Sequence, residues 1–297
     1  MRSYSALVPP ELDGARVEQV LRRTLGLSAT RIKRAKFQGD GITLDGVRVN
    51  TDCPVRAGQA LTLRLPDRAA AELIPLPGAL DVVFEDGWYL VVNKPAGLAV
   101  HPGPGHYADT LGNLCAHRAR ERGEDPAFRP VHRLDKGTSG LIVLAKGAEA
   151  HEALQAQLHT DGFCRSYLAL TAQAPSPERG TIDAPIAPVA GALNRYCVHP
   201  DGKPARTDYA LIGHNDRASL LLLRLHTGRT HQIRVHLAYL GCPLLGDTAY
   251  GGEPALGRPA LHAHSLDLRH PFTGEALHLT APLPADMAAF GLREGTP

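Results

Sequence analysis

At 297 residues, with 43% hydrophobic and 21% charged side chains, the chain has the make-up of a folded globular protein and not of a disordered one. No apolar run approaches the roughly 18 residues of a membrane-spanning helix, and five scattered cysteines without a C-x-x-C pair argue against a disulfide framework or a zinc knuckle. The net charge of +2 hides an asymmetry: residues 1–66 carry eleven Lys or Arg against six Asp or Glu, an excess of +5 that leaves −3 for the rest, and a basic end of this kind suits a polyanionic partner.

Met1–Pro10 has too short an apolar core for a secretory signal, so the expected location is the cytoplasm, as a monomer and away from membranes. Val17, Val20, Leu21 and Leu25 then share one helical face, which Gly26 ends. Ser28 is placed to cap a second helix. In that helix Ile32 and Ala35 face inward, and Arg31, Lys33, Arg34 and Lys36 form a cationic row. Such a row can be merely solvated, but with little acid nearby it is a candidate phosphate contact. Ile42–Leu44 and Val47–Val49 alternate around Asp45-Gly46, a two-residue hairpin signal. Residues 67–78, rich in Ala and Pro, predict a linker, and residues 79–297 a second domain.

In that domain Asp81–Phe84 and Tyr89–Val92 predict strands, and Thr110–Arg122 predicts a helix. The glycines of His101-Pro-Gly-Pro-Gly105 lack the spacing of a dinucleotide fingerprint. Leu141–Ala145 is a short continuous apolar run, as in a strand buried on both faces, and Gly137–Gly140 supplies a turn before it. A helix over about residues 148–159, a strand over 165–170, and strands near 205–212 and 219–225 follow. Strands joined by turns predict a mixed, largely antiparallel sheet, hence an α+β class and not a doubly wound one.

Three side chains stand out. Asp135 sits between Arg133 and Lys136 at the mouth of the apolar strand, where it fits either a turn cap or a nucleophile. In Thr227–Asp247, Thr230 is placed to cap a helix with an Ile233, Leu237, Leu240 stripe, ended by Gly241. Arg234 falls about one turn in and wants an acid partner. An Asp that must stay ionised in a dry pocket wants a fixed cation, because burial alone raises its pKa. Arg234 and Asp135 are therefore expected to pair. Tyr167, on a predicted strand, is either core or a flat surface on which a base can stack.

Val131-His-Arg-Leu-Asp135 with Thr138-Ser-Gly-Leu141, Arg165-x-Tyr167, Gly228-Arg-Thr-His-Gln-Ile-Arg-Val-His236 and Pro243-Leu-Leu-Gly-Asp247 resemble the pseudouridine synthases of the RluA family. Phe84-Glu-Asp86, Val91–Gly97, His101-Pro102, Leu261-His-Ala263, His270–Gly274 and Ala281–Pro284 match as well. The first 66 residues resemble the small RNA-binding domain found in ribosomal protein S-four, through Ala15–Glu18, Leu27–Arg31, Gly41–Gly46 and Val55–Gly58. Gly137 and Arg165 depart from the family pattern, where an acidic residue and Lys are usual. The resemblance implies a pseudouridine synthase fold and isomerisation of uridine within RNA, without metal or cofactor. It gives Asp135 the role of covalent nucleophile or of base at the ribose, and both routes stay open. It further implies that Arg234 keeps Asp135 ionised, Tyr167 and Ile233 hold the two faces of a flipped uracil with Tyr167 also a candidate to help remove the proton from carbon five, Arg133 fills the vacated stack, and Arg229 contacts substrate. Structured RNA is the expected partner, with large-subunit ribosomal RNA favoured over transfer RNA.

Rival functions fit less well. The order His-Arg-Leu-Asp is not the kinase His-Arg-Asp, and no Asp-Phe-Gly follows. The pairs His231/His236 and His262/His264 lack an H-E-x-x-H or cysteine pattern for zinc. A glycosidic-bond hydrolase would need a second carboxylate to activate water, and no motif supplies one. A non-catalytic RNA-binding factor would be expected to have lost Asp135, Tyr167 or Arg234, and all three are present.

Overall fold

A computed structural model describes residues 2–27, 29–36, 39–65, 73–103, 105–124, 128–158, 160 and 162–292. The chain divides into two compact units, Met1–Glu72 and Leu73–Pro297. In the first, β1 (Arg2–Leu7), α1 (Val17–Arg23), α2 (Ala29–Lys36), β2 (Ile42–Leu44), β3 (Val47–Arg48) and β4 (Ala60–Leu65) form an antiparallel sheet in the order β1-β4-β2-β3 with two helices. Its own apolar core joins Val17, Val20 and Leu21 of α1 and Ile32 and Ala35 of α2 to Leu61 and Leu63 of β4. The Asp45-Gly46 hairpin forms with both residues at positive φ, 50° and 81°, which a two-residue turn between twisted strands requires. The Asp45 carboxylate accepts hydrogen bonds from the Ala60 amide and from Gln59 Nε2, which ties that turn to β4. The expected cap Ser28 and the expected linker residues 67–72 lie outside the described residues.

The second unit is built on one large sheet. Its elements in chain order are β5 (Val82–Glu85), β6 (Tyr89–Lys94), α3 (Leu111–Arg122), β7 (Arg129–Pro130), β8 (Ser139–Ala145) and α4 (Ala148–Gln157). Then come β9 (Phe163–Thr171), β10 (Arg179–Asp183), β11 (Ile186–Pro188), β12 (Tyr196–Val198), β13 (Arg206–His214), β14 (Ser219–Leu225), α5 (Gln232–Tyr239), β15 (Leu261–Arg269), β16 (Ala276–Thr280) and α6 (Ala285–Ala288). The strand order is β10-β13-β14-β9-β15-β8-β6-β5, with β16 also on β15 and β7 also on β8. Among the described strands only the β15–β8 pair is parallel, so the class is α+β with a mixed, largely antiparallel sheet. The short hairpin β11–β12 stands apart from the large sheet.

Every residue of β8 is buried, as its unbroken apolar run requires. The pleat sorts them into two cores. Ile142 and Leu144 join Leu111 of α3 and Ile233 and Leu237 of α5 on one face. Leu141, Val143 and Ala145 join Ala150 and Leu154 of α4 on the other. Helices on both faces therefore make β8 the centre of the unit, and the loop entering it is held from every side. Residues 73–78, expected as linker, are secured to α3: the Leu76 amide donates to Asn113 O, and Asn113 Nδ2 donates to Ile74 O. Among the described residues no helix is long and apolar enough to cross a membrane.

Candidate active site

Asp135 lies on the loop between β7 and β8, 28% exposed at its side chain. The loop is pinned at both ends: the Val131 amide donates to Val143 O at 2.9 Å, and the Thr138 amide donates to Asp135 O at 3.1 Å. Two cations grip it from beneath. Lys94 Nζ donates to Pro95 O and Leu98 O at 2.9 Å and reaches Lys136 O at 3.4 Å, while Arg258 Nη1 lies 3.4 Å from Gly137 O. Burial lowers the Lys94 pKa to about 7, with the charge of Arg258 acting in the same sense and Asp135 opposing it. The backbone at Asp135 is thus fixed before any substrate arrives.

Arg234 approaches from α5. Its Nη1 stands 3.6 Å from Asp135 Oδ2, an ion pair but longer than a good hydrogen bond. The hydrogen-bonding partner is Asp247: Arg234 Nε donates to Asp247 Oδ2 and Nη2 to Oδ1, both at 2.7 Å. This two-pronged fork leaves one guanidinium nitrogen pointing at Asp135. Burial disfavours the Arg234 charge, but the Asp247 hydrogen bonds and the two carboxylates outweigh it, and the net shift of its pKa is upward. The Tyr250 ring lies against the same guanidinium, 4.9 Å from Cζ to the ring centre.

A third group also reaches the carboxylate. His231 Nε2 is 3.9 Å from Asp135 Oδ2, and its Nδ1 is 2.8 Å from the Tyr250 hydroxyl, which accepts from the Tyr196 amide. Burial lowers the His231 pKa, although Asp135 pulls the other way. His231, and not the expected Thr230, is the N-cap of α5, at a left-handed φ of 57°. No side chain caps α5; instead Gln232 Oε1 accepts from the Arg229 amide and from Thr227 Oγ1, which ties the preceding turn to the first residue of the helix. Gln232 Nε2 donates to Arg206 O and Thr207 Oγ1, and Thr207 in turn bonds His236 Nδ1, whose Nε2 donates to Ala184 O. This buried chain anchors α5 to β13 and sets the depth at which Arg234 and Ile233 enter the site.

Tyr167, on β9, is 4% exposed. Burial raises its pKa, Asp135 adds to the rise and Arg165 opposes it, so the phenol stays protonated near neutrality. Tyr167, Ile233, Leu134, Thr138 and Leu261 enclose a cavity of about 60 Å³ with Asp135 and Arg234 in its wall. That cavity joins a groove of about 410 Å³, and the two share Arg133, Asp135, Tyr167, Leu225 and Arg229. The structure therefore brings six expected site residues together: Asp135, Tyr167, Arg234, Ile233, Arg133 and Arg229. A larger cavity of about 690 Å³ lies instead around Lys94, Arg258 and Asp286, without Asp135 in its wall. In the first unit Lys33 and Lys36 are exposed on α2, opposite the buried Ile32 and Ala35; the side chains of Arg31 and Arg34 lie outside those described.

A family model for RNA pseudouridylate synthase matches residues 88–239, which contain Asp135, Tyr167 and Arg234. The chain belongs to that family. An uncharacterized RNA pseudouridine synthase of Bacillus subtilis, YhcT, is 39% identical over 294 residues, covering 96% of this chain and 95% of its own. Ribosomal large subunit pseudouridine synthase D of Pseudomonas aeruginosa is 37% identical over 302 residues, 96% of this chain and 94% of its own. Among solved structures, human RNA pseudouridylate synthase domain containing 1 superposes with a TM-score of 0.59 at 29% identity, over 72% of this chain and 89% of that one. The protein is therefore an RNA pseudouridine synthase, an isomerase with the family's fold.

Three residues of this pseudouridine synthase's site escaped the sequence reading. Asp247 lies in the Pro243–Asp247 segment, but nothing local says that its carboxylate turns towards α5. His231 pairs in sequence with His236 without a zinc pattern, and nothing local places it 3.9 Å from Asp135. Tyr250 carries no sequence signal beyond its nearness to Asp247.

Proposed function

We propose that this synthase isomerises uridines of large-subunit ribosomal RNA, with Asp135 acting at the ribose of a flipped nucleotide. The observation that carries this reading is a carboxylate on a rigid loop, 3.6 Å from a guanidinium already committed to a second carboxylate. A cation held in that way cannot swing off to solvent, so it stays beside the carboxylate charge of Asp135 in a cavity walled by Tyr167, Ile233 and Leu261. Either route open to Asp135 uses that charge: attack on the anomeric carbon, which expels uracil as an anion, or removal of a ribose proton. The released base turns, its carbon five bonds the anomeric carbon as the bond to Asp135 breaks or the ribose proton returns, and the proton leaving carbon five is replaced, net, by one on nitrogen one. Atoms and electrons balance within the substrate, because one glycosidic bond is exchanged for another.

Tyr167 and Ile233 supply the flat and apolar walls against which uracil turns, and Arg234 sustains the anion. The exposed Arg133 stands at the junction of cavity and groove, placed to occupy the gap left in the RNA stack, with Arg229 beside it. The first unit serves as an S-four-like RNA-binding module through Arg31, Lys33, Arg34 and Lys36. The synthase works as a cytoplasmic monomer. The preference for ribosomal over transfer RNA rests on relatives such as the large-subunit synthase of Pseudomonas aeruginosa.

The test is pseudouridine mapping of ribosomal and transfer RNA from cells lacking the gene, complemented by wild type or Asp135→Asn. We expect sites in large-subunit RNA to vanish, to return with wild type and to stay absent with Asp135→Asn, whose purified form still binds RNA within about threefold of wild type. Modification restored by Asp135→Asn would remove Asp135 from the chemistry, and lost sites confined to transfer RNA would reassign the substrate. Replacing Arg31, Lys33, Arg34 and Lys36 by Gln should lower the log–log salt slope of RNA binding by roughly 0.7 to 0.9 for each phosphate no longer neutralised. An unchanged slope would leave the row as solvated surface.

A further inference from the structure

The groove beside the Asp135 cavity contains a buried charge that the mechanism above does not use. Arg165 is 7% exposed, and its Nε is buried without a hydrogen-bond partner. No ion pair joins it to a carboxylate among the described residues. The Phe163 ring lies near it, at 5.8 Å from Cζ to the ring centre. Leaving a buried guanidinium donor unpaired costs the fold stability. A fold that keeps one in its active cleft has a use for it.

Arg165 stands two residues before Tyr167 on β9, so the two project from one side of the strand. It lines the groove but not the small cavity that holds Ile233 and Arg234, so a base seated against Tyr167 is not its partner. Gly228 passes beside the guanidinium: a Cβ there would stand 3.6 Å from Nη1, and a longer side chain would cover it. A second donor borders the same groove. His132 Nε2 accepts from the Val143 amide, which puts the ring proton of a neutral imidazole on Nδ1. That atom is buried without a closed hydrogen bond, though the Arg133 backbone lies close enough to favour its proton. Arg133 and Arg229 complete the rim.

We propose that Arg165, with Arg229 at the rim, receives one backbone phosphate of the RNA strand next to the nucleotide whose base enters the Asp135 cavity. The site rests on the functional reading above and adds to it a named subsite. A phosphodiester offers two anionic oxygens in the geometry of the guanidinium fork, and the strand beside a flipped nucleotide must run along this groove. Held there, the phosphate fixes the distance between the strand and Asp135, so Arg165 is a positioning residue.

The experiment uses the full chain and a short unmodified transcript spanning the uridine identified by mapping, with its phosphates sparsely ethylated. We expect ethylation at one or two linkages beside that uridine to block binding by wild type. In Arg165→Met and Arg165→Gln that block should vanish, with affinity lower by about ten- to a hundredfold and the salt slope reduced by roughly 0.7 to 0.9. Arg165→Lys, which keeps the charge, should restore the slope and part of the affinity. If Arg165→Met fails to fold, Arg165→Gln and Arg165→Lys carry the comparison. An interference pattern and slope unchanged in the neutral variants would overturn the phosphate subsite while leaving the synthase reading intact. So would a fall in kcat with KM and slope untouched, which would place Arg165 on the base instead. A wild type that neither binds nor modifies the transcript would overturn the functional reading and this site with it.

Discussion

Asp247 decides how well the site holds its charge. It is 2% exposed and takes both strong hydrogen bonds from Arg234, so neutralising it strands a buried guanidinium. We expect Asp247→Asn to lower stability by about 3 kcal/mol, the scale for breaking a buried ion pair, and Tm by roughly 6–12 °C. Turnover should fall about 100-fold as Arg234 drifts, with RNA affinity nearly kept. Equilibrium unfolding and single-turnover kinetics check both, and a variant of normal stability and rate would mean that Asp135 alone fixes Arg234. At this scale the sequence was legible where chemistry is local. Asp135, Tyr167 and Arg234 announced themselves through their neighbours, and they do line one cavity. The pairing of Arg234 with Asp135 was legible too, but its stronger partner Asp247 was not, because the guanidinium serves two carboxylates that lie far apart in the chain. Nothing in Leu244-Leu-Gly-Asp247 states that its last side chain will meet α5.

At the scale of elements, the parallel junction of β8 and β15 places the active loop. His262 pairs with Ser139 and Ala263 with Gly140, so the start of β8 is laid against β15 immediately after the Asp135 turn. Gly140 has a φ of 108°, and a Cβ there would stand 2.2 Å from Ala263 O, far inside contact distance. Because the obstacle is backbone, no rotamer change relieves it. We expect Gly140→Ala to lose more than about 3 kcal/mol, by the combined scale of backbone strain and overpacking. The same variant should lose turnover even where it folds, because the strands can rejoin only by shifting the loop. Thermal melting with single-turnover assays tests this, and wild-type values for both would show that the junction has slack. Most elements were legible from period and turn chemistry: the continuous run of β8, the Asp45-Gly46 hairpin and the apolar stripe of α5. The start of α5 was not. Thr230 looks like a cap, but the helix starts after His231 without a side-chain cap, at a point where Gln232 and His236 both meet the buried Thr207.

At the scale of the molecule, alternation and turn signals implied a mixed antiparallel sheet, and that is the sheet observed. Its strand order was beyond the sequence, because β8 and β15 are neighbours through packing and not through any connecting turn. That arrangement has a consequence for pH. Two histidines are sealed neutral where these strands meet the flanking layers. His132 accepts from the Val143 amide, and His262 bonds Ser139 Oγ through Nδ1 and donates from Nε2 to Ala281 O. Burial lowers His132 to about 3, helped by the charge of Arg165. Burial likewise lowers His262 to about 4, against the backbone hydrogen bond to Ala281 that favours its charge. Unfolded, both titrate near 6.5, so between that value and their folded pKa values the unfolded chain binds the extra protons and acid favours unfolding. Stability should be level with respect to these groups above about pH 7. It should then fall by about 2–3 kcal/mol per pH unit between about pH 5.5 and 4.5, one proton for each histidine. Urea unfolding at several pH values measures that slope, and His132→Gln or His262→Gln should each remove about half of it whatever they do to the absolute stability. A slope untouched by both substitutions would mean that the imidazoles are reached by water and protonated without unfolding, and that the centre of the sheet is less tightly closed than its packing implies.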